Sequence, residues 1–376
     1  MRRLIRVIAG MLAVTLSTLV ALAIMEVATR LAYLPKPLLW QNFATQPVNQ
    51  QVTNLAIEYD SLLGYIAKPD LRSGPTNTHG KLGIRLHQSL KPGEPSPPIP
   101  TGGILASGDS FTFGSEVDDD QSWPAQMERE LGIPVVNAGA GGYGVDQAVL
   151  RAEQLLDVTK PRVIIVSFIP NNMGRNEFAV NGGLPKPYFE VVNGQLELRN
   201  VPVPHYVPPA SHVGIFRAVF GYSYAMFWAS ERLGMRHKFV ARKSETRAVT
   251  KQGIEVACLL WKRLADKVAD PKVRLVALAQ YAGIQVNGHD NSRSHFQVER
   301  VLACAKQAGY IIVDSYPELR RRFEADPVSF WNNWVKQPSD QEWHTGHMSS
   351  EGNRVTAKLL IEKLRAEAPE VLQPGW

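Results

Sequence analysis

Cysteine is nearly absent: the 376 residues hold two, Cys258 and Cys304, and no zinc-finger spacing can be drawn from them. The pair leaves two readings open. It is either one disulfide in an oxidising compartment or two buried small apolar residues on neighbouring helices. Charge is also sparse, at 20% against 44% hydrophobic content, which is the balance of a folded enzyme and excludes a disordered tail. The net charge of +6 is modest and partly concentrated at one end. With no lysine-rich stripe and no RNP-like aromatic strand, nucleic acid is not expected as a partner. Internal repeats and low-complexity tracts are absent as well, which removes solenoids and arrays.

What is present begins at the N-terminus. Arg2, Arg3 and Arg6 precede an uncharged run from Val7 to Met25, close to the ~20 apolar residues needed to cross a bilayer as helix. A cleaved secretory signal competes, with Ala21-Leu22-Ala23 as the cleavage site. The run exceeds a signal peptide's apolar region, however, and that site lies inside it. Residues 1–33 are therefore expected to be a retained anchor. The arginines keep its short end in the cytoplasm, making the chain a single-pass inner-membrane protein whose remainder faces the periplasm.

Residues 34–100 are rich in Pro, Gln, Asn and Thr and read as a spacer with a small β-rich appendage. From about residue 101 to 370 short apolar runs alternate with amphipathic stretches. The runs are Ile104 to Ser107, Val135-Val136, Val163 to Ile169, Val273 to Ala279 and Ile311 to Val313, as expected for parallel strands buried on both faces. Helices are predicted at Trp123 to Leu131, Gln147 to Leu156, Ile254 to Val268, Gln297 to Gln307 and Arg354 to Ala366. This βαβαβ pattern predicts an α/β fold, a flavodoxin-like three-layer sandwich with a five-stranded parallel sheet. An insertion of about 173–253 interrupts it. Within it Asn193-Gly194 between apolar segments predicts a type I′ hairpin, and Phe216 to Leu233 reads as an aromatic-rich helix.

Chemistry concentrates where strands end. In Gly103-Ile-Leu-Ala-Ser-Gly-Asp-Ser-Phe-Thr-Phe-Gly114 a serine directly follows a buried strand, flanked by glycines that permit a sharp turn. A serine hydroxyl becomes a useful nucleophile once a positioned base takes its proton. The segment Gly108 to Gly114 resembles the first block of the SGNH/GDSL hydrolase family, Gly-Asp-Ser-x-Thr-x-Gly. Three further segments resemble the family's other blocks, in order: Asn137-Ala-Gly-Ala-Gly-Gly142, Pro170-Asn-Asn172 and His347-Met-Ser-Ser-Glu-Gly352.

The resemblance implies Ser110 as nucleophile and His347 as general base. It implies an oxyanion hole made by the N–H groups of Ser110 and Gly142, with Gly141 a close alternative, and by the Asn171 amide. Two departures stand out. The family commonly has Asp three residues before the histidine, where this chain has His344, so the third triad member is open. Glu342, favoured slightly, and Asp340 are candidates, as is a Ser-His dyad oriented by a backbone carbonyl. Asn172 also replaces the Asp of the third block. The pair His344-x-x-His347 invites a metal reading, but it lacks the His-Glu-x-x-His context, so neither metal nor cofactor is expected.

The resemblance, with the anchor, implies a serine-dependent ester hydrolase working through an acyl-enzyme on O-acyl groups of an envelope or exopolysaccharide carbohydrate. An O-acyltransferase would use the same intermediate and pass the acyl group to a sugar hydroxyl. A catalytically silent carbohydrate-binding protein, with Trp331, Trp334 and Trp343 as exposed stacking surfaces, is the reading from another class. The sequence carries no signal for an oligomeric state.

Overall fold

The computed structural model describes residues 2–33, 56–72, 78–91, 93–205, 222–233, 246–288, 294–337, 340 and 344–373. They fall in two compact units, Met1–Thr53 with Val207–Glu245, and Asn54–Tyr206 with Thr246–Trp376.

In the second unit five strands form one parallel sheet: β1 (Ile104–Ser107), β2 (Val135–Asn137), β3 (Val163–Phe168), β4 (Arg274–Ala279) and β5 (Ile311–Asp314). Their order across the sheet is β5-β4-β3-β1-β2, the flavodoxin-like arrangement, whose chain reversal beside the first strand opens a crevice at the carboxyl ends. Side chains alternate between the two faces with the strand period of two. Ile104, Val163 and Ile165 pack with Trp123, Met127 and Leu360 on one side. Leu105, Ile164 and Val166 pack with Val149, Leu260 and Val301 on the other. Helices Trp123–Leu131 and Ser350–Glu367 thus cover the first face, and Val145–Thr159, Gly253–Val268 and Ser294–Gln307 the second. This is the expected three-layer α/β sandwich. Cys258 and Cys304 are disulfide-bonded, which joins two helices of the second face and decides between the two readings of the pair.

The stretch before β1 belongs to this same unit. Its hairpin, Ile57–Asp60 with Gly64–Ala67, buries Leu63 and Ile66 in the main core. Farther on, Arg85 N–H donates to Asn137 O at 2.9 Å, so the chain lies along the otherwise open edge of β2 and shields it from pairing with another chain.

The insertion contains the expected hairpin, Tyr188–Val192 with Gln195–Arg199. Its two turn residues, Asn193 and Gly194, both have positive φ, 51° and 76°, as a type I′ turn requires. Lys186 and Asp146, 1% and 0% exposed, form a buried ion pair that fastens the insertion to the start of helix Val145–Thr159. Trp331 and Trp334 are not surface stacking platforms: they are 7% and 2% exposed and pack on Phe330. Their run of aromatic residues reflects core, which periodicity alone does not distinguish from a binding face. Trp343 lies outside the described residues.

The first unit contains helix Arg2–Tyr33. Its stretch Ile5–Ala32, 28 residues, spans about 42 Å at the helical rise, more than the ~30 Å of a hydrocarbon core. Thr15 and Thr18 hydroxyls donate to Met11 and Val14 carbonyls of the same helix, which satisfies them without water. Of the helix expected over 216–233, Tyr224–Arg232 is described and 206–221 lie outside the described residues. Glu26 accepts from the N–H groups of Tyr224 and Ala225 and from the Ser223 hydroxyl at 2.7–3.0 Å. A carboxylate on an apolar helix is therefore fully used, as a cap for a second helix.

Candidate active site

Three strand ends and the start of the last helix converge at the carboxyl edge of the sheet. After β1 the chain turns through Gly108 and Asp109 into the short helix Ser110–Phe113, with the Asp109 carboxylate accepting from Phe111 N–H at 2.9 Å. As first residue of that turn, Ser110 has an N–H with no carbonyl four residues back in the helix to receive it. After β2, Asn137 ties the next loop to the serine turn: its amide donates to Thr112 O at 3.0 Å, and its oxygen accepts from Gly139 N–H. A Cβ at Gly139 would lie 2.4 Å from Phe113 N, so glycine lets these two turns touch. Gly142, three residues on, has φ +82°. Among the described residues its N–H donates to no protein acceptor. Gly141 needs no glycine for space, since nothing lies within 4 Å of a Cβ there.

After β3, Asn171 is exposed and its Oδ1 accepts from Gln285 Nε2 at 3.1 Å, which orients its amide group. Asn172 is buried and knits the site. Its oxygen accepts from Ile169 N–H at 2.6 Å, and its amide donates to Asp109 Oδ2 at 3.1 Å and Tyr143 O at 2.8 Å. Arg175 reaches the same two acceptors at 3.0 and 3.1 Å. An amide at this position serves Asp109 directly. A carboxylate at 172 would face the buried Asp109 carboxylate, whereas an amide donates to it.

His347 is held by a short antiparallel pairing: Val335 N–H donates to its carbonyl at 2.8 Å, and Ser349 N–H to Asn333 O at 2.9 Å. Ser349 then caps the last helix by accepting from Gly352 N–H. Buried Asn353 fixes that helix to its neighbour, accepting from Trp123 N–H and donating to Met348 and Ser349 carbonyls. So braced, His347 Nε2 stands 3.0 Å from Ser110 Oγ.

The other ring nitrogen faces a residue that no sequence motif marked. His347 Nδ1 lies 3.3 Å from Glu116 Oε2, within ion-pair reach though off the line of a well-formed hydrogen bond. The same oxygen accepts from His347 N–H at 2.8 Å, and Glu116 Oε1 accepts from Gln337 Nε2 at 3.0 Å. Contact with His347 outweighs partial burial and holds the Glu116 carboxyl below the usual glutamate range. The loop bearing Glu116, itself at φ +70°, is clamped from within by Arg85, 1% exposed. Its guanidinium donates to the carbonyls of Phe113, Gly114 and Val117 and pairs with Asp119.

Glu342 lies outside the described residues. Asp340 accepts from the N–H groups of Gln337 and Thr345 and from the Thr345 hydroxyl, a loop-closing task. His344 turns to Trp334 O at 3.0 Å, while the His347 ring addresses Ser110 and Glu116. A hydroxyl, an imidazole and a carboxylate in that succession can generate a serine nucleophile.

No family model matches this sequence, and no curated protein matches it. Among solved structures it is similar to an alpha/beta hydrolase enzyme from the metagenome of Lake Arreo, Spain, at 14% identity and TM-score 0.38, over 70% of this chain and 96% of that one. It is similar to an acetyl xylan esterase at 12% and 0.38, over 69% and 98%, and to the lipase/acylhydrolase from Enterococcus faecalis at 11% and 0.39, over 71% and 96%. At these values the chemistry rests on this chain's own geometry. The strand order found, with four blocks at its carboxyl edge, is the fold that the resemblance to the SGNH/GDSL hydrolases implies.

Proposed function

We propose that this chain is a membrane-anchored serine ester hydrolase of the SGNH type, with Ser110 as nucleophile, His347 as base and Glu116 as the carboxylate partner. The observation that carries the reading is the 3.0 Å approach of His347 Nε2 to Ser110 Oγ with Glu116 beside Nδ1. In the proposed reaction Ser110 Oγ attacks the ester carbonyl carbon as its proton passes to His347 Nε2. The resulting oxyanion is met by the N–H groups of Ser110 and Gly142 and by the Asn171 amide. Collapse breaks the bond to the alcohol, which leaves with the proton from His347, and an acyl-serine remains. Water then adds by the same route, releasing the acid and restoring Ser110.

The substrate we propose is an O-acyl group on an envelope or exopolysaccharide carbohydrate. His347 and Glu116 side chains are 32% and 36% exposed, which suits an ester displayed on a bulky polymer. The apolar helix Ile5–Ala32 supports a single-pass inner-membrane anchor with the catalytic unit in the periplasm, and the disulfide suits that oxidising side.

The test is covalent. Detergent-solubilised full-length protein treated with a fluorophosphonate probe should be labelled at Ser110, and Ser110→Ala should abolish both labelling and hydrolysis of an acetylated sugar. A folded protein that takes no label would overturn the reading in favour of a silent binding protein. Product analysis with a sugar acceptor present separates hydrolase from transferase: free acid supports the former, and an acylated acceptor the latter.

A further inference from the structure

Tyr65 and Asn181 belong to segments outside the four family-like blocks, yet both end on the glycine turn after β2. The Tyr65 hydroxyl donates to Gly141 O at 2.7 Å, and the Asn181 amide donates to Gly142 O at 2.9 Å. One comes from the hairpin before the sheet and the other from the insertion. Between them they hold the two peptide planes that meet at the Gly142 Cα.

The first of those planes matters most. The Gly141 carbonyl and the Gly142 N–H belong to one peptide group, so a donor fixed on the oxygen fixes the direction of the N–H. It also polarises the group, which makes that N–H a stronger donor. At φ +82° Gly142 has no Cβ to limit its rotation, and external anchors are what can hold the plane. Tyr65 is well placed for this. It is 5% exposed, packs edge-on against Tyr143 and is bonded at its own carbonyl by the Tyr143 hydroxyl at 2.5 Å. Burial pushes its phenol well above the usual tyrosine value, so it stays a donor throughout the working pH range. A Cβ at Gly142 would lie 2.9 Å from that hydroxyl, which ties the glycine and the tyrosine to each other.

We propose that Tyr65 and Asn181 are positioning residues that aim the Gly142 N–H as an oxyanion donor, with Tyr65 also strengthening it. The proposal rests on the reading of the site given above. Neither side chain need touch substrate. Both act on an interaction formed as negative charge develops, so their loss should lower kcat and leave KM nearly unchanged.

The experiment compares the full-length protein with Tyr65→Phe, Asn181→Ala and Ser110→Ala, using acetyl-ester hydrolysis and inhibition by a trifluoromethyl ketone, whose hemiketal oxyanion would occupy the same hole. Tyr65→Phe should reduce kcat about 10-fold, as for one neutral hydrogen bond, with KM within about twofold. Its inhibition constant should weaken by the same factor as kcat/KM falls, and Asn181→Ala should show the same parallel loss. Thermal stability alone falling, with kcat and inhibitor affinity unchanged in both variants, would overturn the proposal and leave the serine mechanism standing. Activity surviving in Ser110→Ala would overturn the serine mechanism itself.

Discussion

Replacing Glu116 by Gln removes a charge while keeping the shape and one acceptor oxygen. At 3.3 Å a carboxylate and an imidazolium attract by roughly 5 kcal/mol at an effective dielectric of about 20, and by about 1 kcal/mol in water. The two side chains are 36% and 32% exposed, so an intermediate value of about 2–3 kcal/mol is appropriate. In the proposed mechanism the imidazolium forms during the reaction, so the loss should fall on kcat, by roughly 30- to 160-fold. Steady-state hydrolysis of p-nitrophenyl acetate measures this directly, with circular dichroism confirming the fold. If Glu116→Gln stays within about threefold of wild type, Glu116 is not the carboxylate partner, and the role moves elsewhere if Glu342→Gln shows the large loss. The pH dependence has a definite sign. His347 lowers the Glu116 pKa in the folded state, so Glu116 contributes stability at pH above its unfolded value. That contribution disappears as pH falls through the lower, folded value. The melting-temperature gap between wild type and Glu116→Gln should therefore narrow on acidification.

Asn171→Ala should cost on the order of 100- to 1000-fold in kcat without lowering the melting temperature, since it deletes one proposed oxyanion donor; a loss under about tenfold would remove Asn171 from that role. Lys186→Met breaks a buried ion pair whose burial pushes the lysine pKa down and the aspartate pKa up. Chemical denaturation should show a loss of about 3–5 kcal/mol, and an unchanged midpoint would mean that the insertion is fastened by other contacts. Changing both Cys258 and Cys304 to Ala opens a link 46 residues apart in sequence. Chain entropy predicts about 4 kcal/mol of lost stability, visible as a lower melting temperature in oxidising buffer that reductant does not lower further.

The sheet was legible because its strands are fully buried: Val163–Phe168 is apolar but for one serine, and no residue in it faces water. The hairpin was legible because Asn-Gly selects its turn chemically. Glu116 was not, because its role is created by distance in space. It lies in a loop six residues past the serine, whereas family spacing directs attention upstream of the histidine. A usable signal existed in the missing Asp at 344 together with an acidic residue in the short loop after the nucleophile. Composition also hid the role of residues 56–100. Turn formers there read as spacer, but the Arg85 side chain holds the Phe113, Gly114 and Val117 carbonyls and Asp119 under the Glu116 loop, and a lone arginine in a polar stretch carries no periodic signature. Trp331 and Trp334 show the reverse error, since an aromatic cluster reads the same whether it faces sugar or core.

Ser110 opens a short helix and Glu116 lies in the loop just after it, so these two members of the proposed relay are near neighbours in the chain. The imidazole comes from 231 positions away and arrives when the C-terminal helix docks on the sheet. Recovery of the proposed esterase activity during refolding should therefore require that long-range closure, and activity returning before the sheet's own signal would refute this. Loss of the final helix should leave a chain that folds in part and hydrolyses nothing.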